Sequence, residues 1–194
     1  MGSYNEEKRL KFLKIIKGST SKASSLLNNL LIWANSQSGN LNFNPKKIEL
    51  VKQVSDVISL LEIQAINKEI SIYNNVHHNL YVRADENMLN TILRNLISNA
   101  IKYSPEETKI CIHVWADEKQ VRFQIMDHGI GIPKDDIPHL LEPRFRAGNG
   151  HGVPGNGLGL SNVNRLVKRV GGVLEIQSTL NQGSTFIVTI KNQN

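Results

Sequence analysis

The stretch Gly155-Asn156-Gly157-Leu158-Gly159-Leu160-Ser161 (GNGLGLS) places three glycines at alternate positions directly before a helical pattern. A glycine-rich loop that leads into a helix presents unpaired backbone N–H groups and the positive end of the helix dipole, and both attract phosphate. The stretch is not a Walker A loop, because no Gly-Lys-Ser/Thr ends it, and Leu160 stands where the Rossmann pattern needs its third glycine. Taken alone, it predicts either a phosphate-binding loop or an ordinary flexible turn before a helix.

A second motif, Asp127 to Pro133 (DHGIGIP), follows the alternating strand pattern VRFQIMD. Side chains alternate along a strand, so the Asp127 carboxylate shares one face with three apolar residues, Val121, Phe123 and Ile125. A carboxylate on a buried face is costly unless it accepts strong hydrogen bonds, and the amino group of adenine is a suitable donor. Gly129 and Gly131 would let a flat ligand approach the backbone. The alternative interpretation is an aspartate that caps a turn.

The helical pattern NMLNTILRNLISNAIKYS carries a polar stripe beside its apolar face, formed by Asn95, Asn99 and Lys102 at positions i, i+4 and i+7. Amide oxygens can coordinate Mg²⁺, which usually retains waters and shares phosphate oxygens. Lys102 is then suited to balance phosphate charge. Asparagines on a solvated helix face are the alternative interpretation.

A segment rich in glycine, proline and arginine runs from Pro133 to Pro154. Connections this long are uncommon unless they are functional lids or disordered. The segment contains Arg144, Phe145 and Arg146, followed by glycines at positions 148, 150 and 152. Arginines in such a loop can close over phosphates, although many loops carry arginine for other reasons.

The bulk composition limits the class of protein. The chain has 194 residues, of which 40% are hydrophobic and 21% charged, as expected for one globular domain with a helical appendage. Its single cysteine, Cys111, excludes an internal disulfide and fits a reducing compartment. The net charge of +6 is scattered, with no aromatic-studded basic stripe, so we expect no nucleic-acid partner. No apolar run has the length of about 20 residues that spans a bilayer, and residues 1–3 are typical of an expression scar.

The hydrophobic periodicity predicts a long helix followed by mixed structure. Residues 4–38 carry a 3.5-residue seam that should pack on another helix. The seam consists of Leu13, Ile16, Thr20, Ala23, Leu27, Leu30 and Ala34. Asn44 as N-cap and Pro45 in the first turn predict a second helix to about Lys68. Strands over 70–76 and 80–84, a helix over 85–103, strands over 108–116 and 120–127, a helix after the glycine stretch and two final strands complete the pattern.

Together, and in this order, these pieces resemble the ATP-binding domain of sensor histidine kinases, within the larger family that includes gyrase, mismatch-repair and chaperone ATPases. NLISNAIKYS is similar to the family's asparagine box, DHGIGIP to its first glycine box and GNGLGLS to its second, while Gly183–Phe186 (GSTF) stands where the closing Gly-x-Thr occurs. The resemblance covers about Pro45 to Lys191. It implies an α+β fold of the Bergerat type, a two-layer α/β sandwich with a mixed sheet and helices on one face, spanning residues 45–194 and preceded by a long amino-terminal helix.

The resemblance also implies a role for each matched position. Asp127 should bind the adenine amine with Gly131 and Thr185 nearby, and Tyr103 should border the nucleotide. Asn99 should hold Mg²⁺, helped by Asn95. The residues expected to meet the phosphates are Lys102, Arg146 and the backbone at Gly157 and Gly159. The catalytic set is Asn95, Lys102 and Arg146, the cofactors are ATP and Mg²⁺, and the remaining nucleotide-binding positions are Gly129, Ile132, Gly155, Leu158 and Leu160.

Two positions depart from the family pattern. The family's lid usually carries two aromatics, whereas this chain has Leu141 at the first and retains Phe145, which leaves the packing of the lid and the role of Arg146 open. Asn95 occupies the place of a water-activating glutamate in the gyrase-like relatives. Asparagine is a poor general base, so this residue favours phosphoryl transfer to a protein acceptor over ATP hydrolysis.

Residues 4–40 look like the second helix of a kinase dimerisation hairpin, whose first helix would carry the phosphoacceptor histidine. None of the six histidines lies on such a helix; they are His77, His78, His113, His128, His139 and His151. We therefore expect ATP or ADP binding without autophosphorylation. The expected partners are the histidine-bearing helix of a homodimeric parent kinase and the receiver domain of a response regulator, with this chain on the cytoplasmic side of a membrane-anchored sensor. A serine kinase of the anti-sigma type and a nucleotide-binding module without kinase activity are the alternatives.

Overall fold

The structure is a computed structural model that describes residues 6, 8–13, 16, 20, 27, 43–76, 80–117, 119–153 and 155–191. The chain separates into two compact units, Met1–Leu41 and Asn42–Asn194.

The described residues of the first unit are helical, as the seam predicts. Thr20 satisfies its hydroxyl within the helix, since Oγ1 donates to the Ile16 carbonyl at 2.9 Å. Five large apolar side chains of this unit are exposed: Leu10, Phe12, Leu13, Ile16 and Leu27. The seam positions Ala23, Leu30 and Ala34 lie outside the described residues.

The second unit contains three α-helices and seven strands among its described residues. The helices are α1 (Leu50–Ile66), α2 (Glu86–Tyr103) and α3 (Gly159–Arg169). The strands are β1 (Lys46–Glu49), β2 (Ser71–Val76), β3 (Tyr81–Ala84), β4 (Lys109–Ala116), β5 (Gln120–Asp127), β6 (Val173–Thr179) and β7 (Gly183–Lys191). Two 3₁₀ turns, Ile137–His139 and Gly148–Gly150, lie in the long loop between β5 and α3.

Five strands form a mixed sheet in the order β2-β4-β5-β7-β6. Strand β2 runs parallel to β4, and the other neighbours are antiparallel. All three helices pack against this sheet, α1 on β2, α2 on β5 and α3 on β6, and α2 also packs on both other helices. The two-layer α+β sandwich with helices on one face of a mixed sheet is therefore confirmed.

One predicted boundary is wrong. The Asn44–Pro45 pair does not start a helix, because residues 46–49 form β1, which pairs antiparallel with β3 and aligns Ile48 with Val82. Both of these side chains are buried. Pairing with a distant strand therefore overrides the local helix-start signal, and α1 begins only at Leu50.

The core lies between the helices and the sheet. Helix α2 starts as predicted, because the Asp85 side chain caps it by accepting from the Met88 N–H at 3.0 Å. The central strands β4 and β5 alternate strictly, so that Ile110, Ile112, Phe123 and Ile125 are fully buried against α2 and its neighbours. The same alternation brings the last residue of β5, Asp127, to the buried side at the end of the strand.

Candidate nucleotide-binding site

Asp127 is a buried carboxylate that is held on one side only. Its Oδ1 accepts the backbone N–H of Gly129 at 2.9 Å and that of Ser184 at 3.1 Å. The residue is only 5% exposed. Burial raises the pKa of its carboxyl, while the two backbone N–H groups and nearby His128 lower it. From the described residues Oδ2 accepts no hydrogen bond, so this oxygen is the acceptor that remains for a ligand.

The glycine loop after Asp127 is pressed against its neighbours. A Cβ at Gly129 would lie 2.6 Å from the Tyr103 carbonyl oxygen, and Gly131 has φ +63° with its Cα against the carbonyl of Thr179. Between these glycines the Ile130 N–H donates to the Tyr103 carbonyl at 3.1 Å. Only glycine fits both positions. The loop therefore joins the end of α2 to the β6–β7 turn and forms one wall of the site, with half-buried Ile132 at its far end.

The polar stripe of α2 faces the GNGLGLS stretch. A Cβ at Gly159 would lie 3.2 Å from Asn95 Oδ1 and 4.0 Å from Asn99 Nδ2. The Asn95 amide is oriented by its own helix, because Nδ2 donates to the Thr91 carbonyl at 2.8 Å and this leaves Oδ1 directed to the glycine. The two asparagines thus lie at the point where α3 begins.

Lys102 and Tyr103 lie one turn further along α2. The Lys102 ammonium is 3.0 Å from the Tyr103 hydroxyl and 2.5 Å from where a Cβ of Gly155 would be. A Cβ at Gly150 would lie 3.4 Å from the Tyr103 ring. The structure therefore brings the Lys102 ammonium and the Tyr103 ring, at the end of α2, close to two glycines of the connection between β5 and α3.

The GNGLGLS stretch is itself a strained loop that starts a helix. Gly157 has φ +68°, and a Cβ there would lie 2.6 Å from the Arg144 carbonyl carbon. The Gly157 carbonyl accepts the Arg144 N–H at 3.0 Å, and Asn156 Oδ1 accepts the Leu158 N–H at 3.1 Å. No described side chain caps α3. The first-turn N–H groups, beginning at Gly159 and Leu160, therefore remain for an anion beside Asn95.

The long loop between β5 and α3, residues 133–153, folds onto the site as a lid. The Asn149 amide donates to the Gly131 carbonyl at 2.9 Å, and the Asp136 carboxylate accepts the Gly148 N–H at 2.8 Å. Arg146 Nη2 donates to the carbonyls of Gly150 and Val153. In this arrangement the Arg146 guanidinium organises the lid's own backbone, and its predicted contact with phosphate stays a prediction.

The lid is anchored by a different residue from the one that the motif indicates. Leu140 is buried, whereas Leu141, at the first aromatic position of the family pattern, is only half-buried. Phe145 packs against His139, with ring centroids 5.5 Å apart. The single retained aromatic therefore has a partner within the lid.

The register of β7 identifies a residue that the sequence motif passes over. Asp127 pairs with Ser184, and Thr185 pairs with Met126. Since side chains alternate along β7, buried Ser184 shares the face of Asp127, while Thr185 lies on the opposite, half-exposed face. The alternation of Ser184 with Phe186, Val188 and Ile190 is the sequence signal that could have found it.

Ser184 is supported by a neighbouring hydroxyl. The Ser178 hydroxyl donates to the Gly183 carbonyl at 2.9 Å and lies 2.9 Å from the Ser184 hydroxyl. Gly183 has φ +115°, and a Cβ there would collide with the Asp127 carbonyl. These contacts fix the strand end that supplies the second N–H to the Asp127 carboxylate.

Two absences hold for the part of the chain that the structure describes. No group of three or more His, Cys, Asp or Glu side chains could hold a metal ion. Within the same residues, no helix combines the length and hydropathy that a membrane span requires.

Comparisons with known proteins agree on one family. The profile described as histidine kinase-, DNA gyrase B- and HSP90-like ATPase matches residues 84–194. The circadian input-output histidine kinase CikA of Synechococcus elongatus is 31% identical over 196 residues, covering 96% of this chain and 26% of CikA. The sensor histidine kinase WalK of Bacillus subtilis is 30% identical over 190 residues, covering 96% of this chain and 31% of WalK. This chain thus spans about a quarter to a third of these relatives.

Among solved structures, full-length ShkA in complex with AMPPNP superposes with a TM-score of 0.81 at 26% identity. The match covers 96% of this chain and 40% of ShkA.

Proposed function

The chain belongs to the histidine kinase-, DNA gyrase B- and HSP90-like ATPase family, as the ATP-binding catalytic domain of a sensor histidine kinase, and we propose its function on that premise. The domain holds ATP in the site around Asp127 and presents the γ-phosphate to a histidine on a separate helix. The observation that carries this proposal is the convergence of a buried acceptor, an asparagine pair and a lysine on one pair of glycine loops. Asp127 Oδ2 accepts the adenine amine, because Oδ1 is already engaged by two N–H groups.

The phosphates lie, in this proposal, between the start of α3 and the polar stripe of α2. The free N–H groups at Gly159 and Leu160 and the positive end of the α3 dipole attract the phosphate oxygens. The Lys102 ammonium, beside Gly155, neutralises charge that builds on them. Tyr103 borders the nucleotide, with its hydroxyl fixed by Lys102.

Magnesium is proposed as the metal of this site. Asn95 fits such an ion because its Oδ1 is turned away from its own helix and towards the start of α3, and Asn99 lies one turn further along the same stripe. Amide oxygens are ligands that suit Mg²⁺. The ion would supply charge neutralisation for the phosphates, and the two asparagines would hold it.

We propose that the site positions the γ-phosphate of ATP for transfer to a protein and does not hydrolyse ATP. Position 95 carries an amide that cannot accept a proton from water, and its nitrogen is already committed to the Thr91 carbonyl. A histidine of the parent kinase, presented by a dimerisation hairpin, would be the nucleophile, and a receiver domain of a response regulator would accept the phosphate next. We further propose that the parent is a homodimer whose residues 4–40 belong to that hairpin, and that this domain lies on the cytoplasmic side of a membrane-anchored sensor.

One observation favours a second function. The Arg146 guanidinium donates to carbonyls of the lid, so a lid that keeps this arrangement would bind nucleotide without assisting transfer. In that case the chain would act as a nucleotide-binding module.

A transfer assay distinguishes the two functions. The chain would be incubated with Mg²⁺ and γ-³²P-ATP, with and without the histidine-bearing hairpin of its parent kinase as a separate polypeptide. We expect acid-labile label on the hairpin and none on this chain alone. Nucleotide binding by calorimetry without label on the hairpin would support the binding module, and stable phosphohistidine on this chain alone would contradict the proposed division of labour.

A further inference from the structure

Lys68 lies in the turn between α1 and β2, outside every sequence motif of the nucleotide site, and its side chain reaches the carboxyl end of α2. Its ammonium is 2.9 Å from the Ile101 carbonyl oxygen, 3.2 Å from that of Lys102 and 2.5 Å from that of Ser104. An ammonium group has three donors, so these three acceptors use its full capacity.

The remaining carbonyls at this helix end are also satisfied. The Ala100 carbonyl accepts the Ser104 N–H at 3.1 Å, and the Tyr103 carbonyl accepts the Ile130 N–H at 3.1 Å. The last turn of α2 is thus held from two sides, by the Lys68 ammonium and by the glycine loop that follows Asp127. Helix ends without such partners fray, because their last carbonyls have no intrahelical donor.

The turn that carries Lys68 is fixed by its own backbone. Glu69 has φ +54°, and the Ile70 N–H returns to the Ala65 carbonyl at 2.9 Å, which ends α1. The Lys68 carbonyl accepts the Glu107 N–H at 3.1 Å, so the turn is also tied to the loop after α2. The positive charge is therefore placed at the negative end of the α2 dipole.

The side chains of this last turn are those that meet the nucleotide. Lys102 and Tyr103 contact each other, Gly155 and Gly150, while their backbone carbonyls lie at the Lys68 and Ile130 contacts. Loss of the Lys68 ammonium would loosen this turn. The Lys102 ammonium, the Tyr103 ring and the Tyr103 carbonyl that holds the glycine loop after Asp127 would then lose their fixed positions. We propose that Lys68 is a positioning residue for nucleotide binding that acts through the last turn of α2. This inference rests on the proposed function of the same site.

The test compares nucleotide affinity with local opening. Dissociation constants for MgADP would be measured by calorimetry for the wild-type chain, Lys68→Met, Lys68→Arg and the control Lys52→Met, which removes an exposed lysine from α1. We expect Lys68→Met to weaken binding about tenfold, the effect of losing hydrogen bonds to a charged group, and Lys68→Arg to restore most of the affinity because it keeps charge and donors. Lys52→Met should bind like the wild type.

Hydrogen exchange supplies a readout that a general loss of stability would not produce. In Lys68→Met, well below its melting temperature, the amides of Ser104 and Ile130 should exchange faster than in the wild type, while those of β4 and β5 should not. If Lys68→Met does not fold, Lys68→Gln, which keeps amide donors without the charge, takes its place with the same expected direction.

If the wild-type chain binds MgADP and Lys68→Met binds it with the same affinity, this inference alone is overturned. The same holds if Lys68→Arg weakens binding as much as Lys68→Met does. Absence of MgADP binding by the wild-type chain would overturn the proposed function and the inference with it.

Discussion

Ser184 and Asp127 face each other on neighbouring antiparallel strands, and the Ser184 N–H donates to Asp127 Oδ1 across 3.1 Å. Together with the Gly129 N–H at 2.9 Å, this contact occupies one carboxylate oxygen and turns the other towards the site. The position of the acceptor is therefore set by backbone groups of the loop after β5 and of strand β7. A substitution that keeps the shape of Asp127 but removes its second acceptor isolates the ligand contact.

Asp127→Asn is expected to lower the affinity for ATP and ADP about ten- to hundredfold, as for the loss of a hydrogen bond to a charged group. The asparagine oxygen can still accept from Gly129 and Ser184, but its NH₂ group would meet the adenine amine, donor against donor. The measurement is calorimetric titration with MgADP. Asp56→Asn, on the exposed side of α1, is the control, and an affinity in Asp127→Asn equal to that of the wild type would refute the adenine assignment.

The same variant should change the pH dependence of stability. Burial raises the pKa of Asp127 in the folded protein, so the folded state binds this proton more tightly than the unfolded state. The free energy of unfolding of the wild type therefore falls as the pH rises from the usual carboxyl pKa to the raised one, and the loss persists at neutral pH.

Asparagine does not ionise, so Asp127→Asn lacks that loss. Without nucleotide, it should melt at or above the wild-type temperature at pH 7, and the difference should shrink as the pH falls through the raised pKa of Asp127. Thermal unfolding measured from about pH 4, near the usual carboxyl pKa, up to about pH 8 provides the check. A variant that is less stable than the wild type at pH 7 would show that the carboxylate stabilises the fold.

Gly157→Ala should weaken binding through the backbone of the phosphate loop. Gly157 has φ +68° and lies against the Arg144 backbone, which itself has φ +68°. A methyl group would push the loop away from Arg144 and displace the start of α3. Because such backbone strain costs about 1–3 kcal/mol, we expect the affinity for MgADP to fall about tenfold or more. Calorimetry with MgADP measures the loss.

Two other glycines serve as matched controls for this variant. Gly171 has φ +72° with open space around its Cα, so Gly171→Ala adds backbone strain at the end of α3 without a collision. Gly152 has neither a positive φ nor a neighbour within 4 Å, so Gly152→Ala should bind normally. If Gly171→Ala weakens binding as much as Gly157→Ala, general destabilisation and not the local contact is responsible.

Periodicity predicted the central strands because those elements follow from local patterns, whereas the two-layer sandwich was implied by the resemblance that the motifs carry. Strict alternation in β5 located Asp127 on the buried face, and the Asp85 cap located the start of α2. The errors come from long-range pairing. Strand β1 forms only because β3 lies beside it, and the choice between Ser184 and Thr185 depends on the register of β7 against β5. Lys68 could not be found from sequence, because its three acceptors are more than 30 residues away.

Asn95→Ala is expected to separate phosphate transfer from nucleotide binding. The Asn95 oxygen faces Gly159, where α3 begins, and not the Asp127 side of the site. Its loss should therefore reduce transfer to the histidine-bearing hairpin about tenfold or more, as for a group that acts mainly in the transition state. Metal-free ADP affinity should change about twofold at most, less than one ordinary hydrogen bond is worth.

Asn87→Ala, two turns earlier on the exposed side of α2, is the control for helix propensity and for loss of an amide. Single-turnover transfer with γ-³²P-ATP and calorimetry with ADP are the two measurements. Parallel losses in transfer and in metal-free ADP affinity would mean that Asn95 binds the nucleotide in its ground state. Unchanged transfer would remove Asn95 from the catalytic set and leave Asn99 as the single amide candidate for the metal, because only these two amides of the α2 stripe lie beside Gly159.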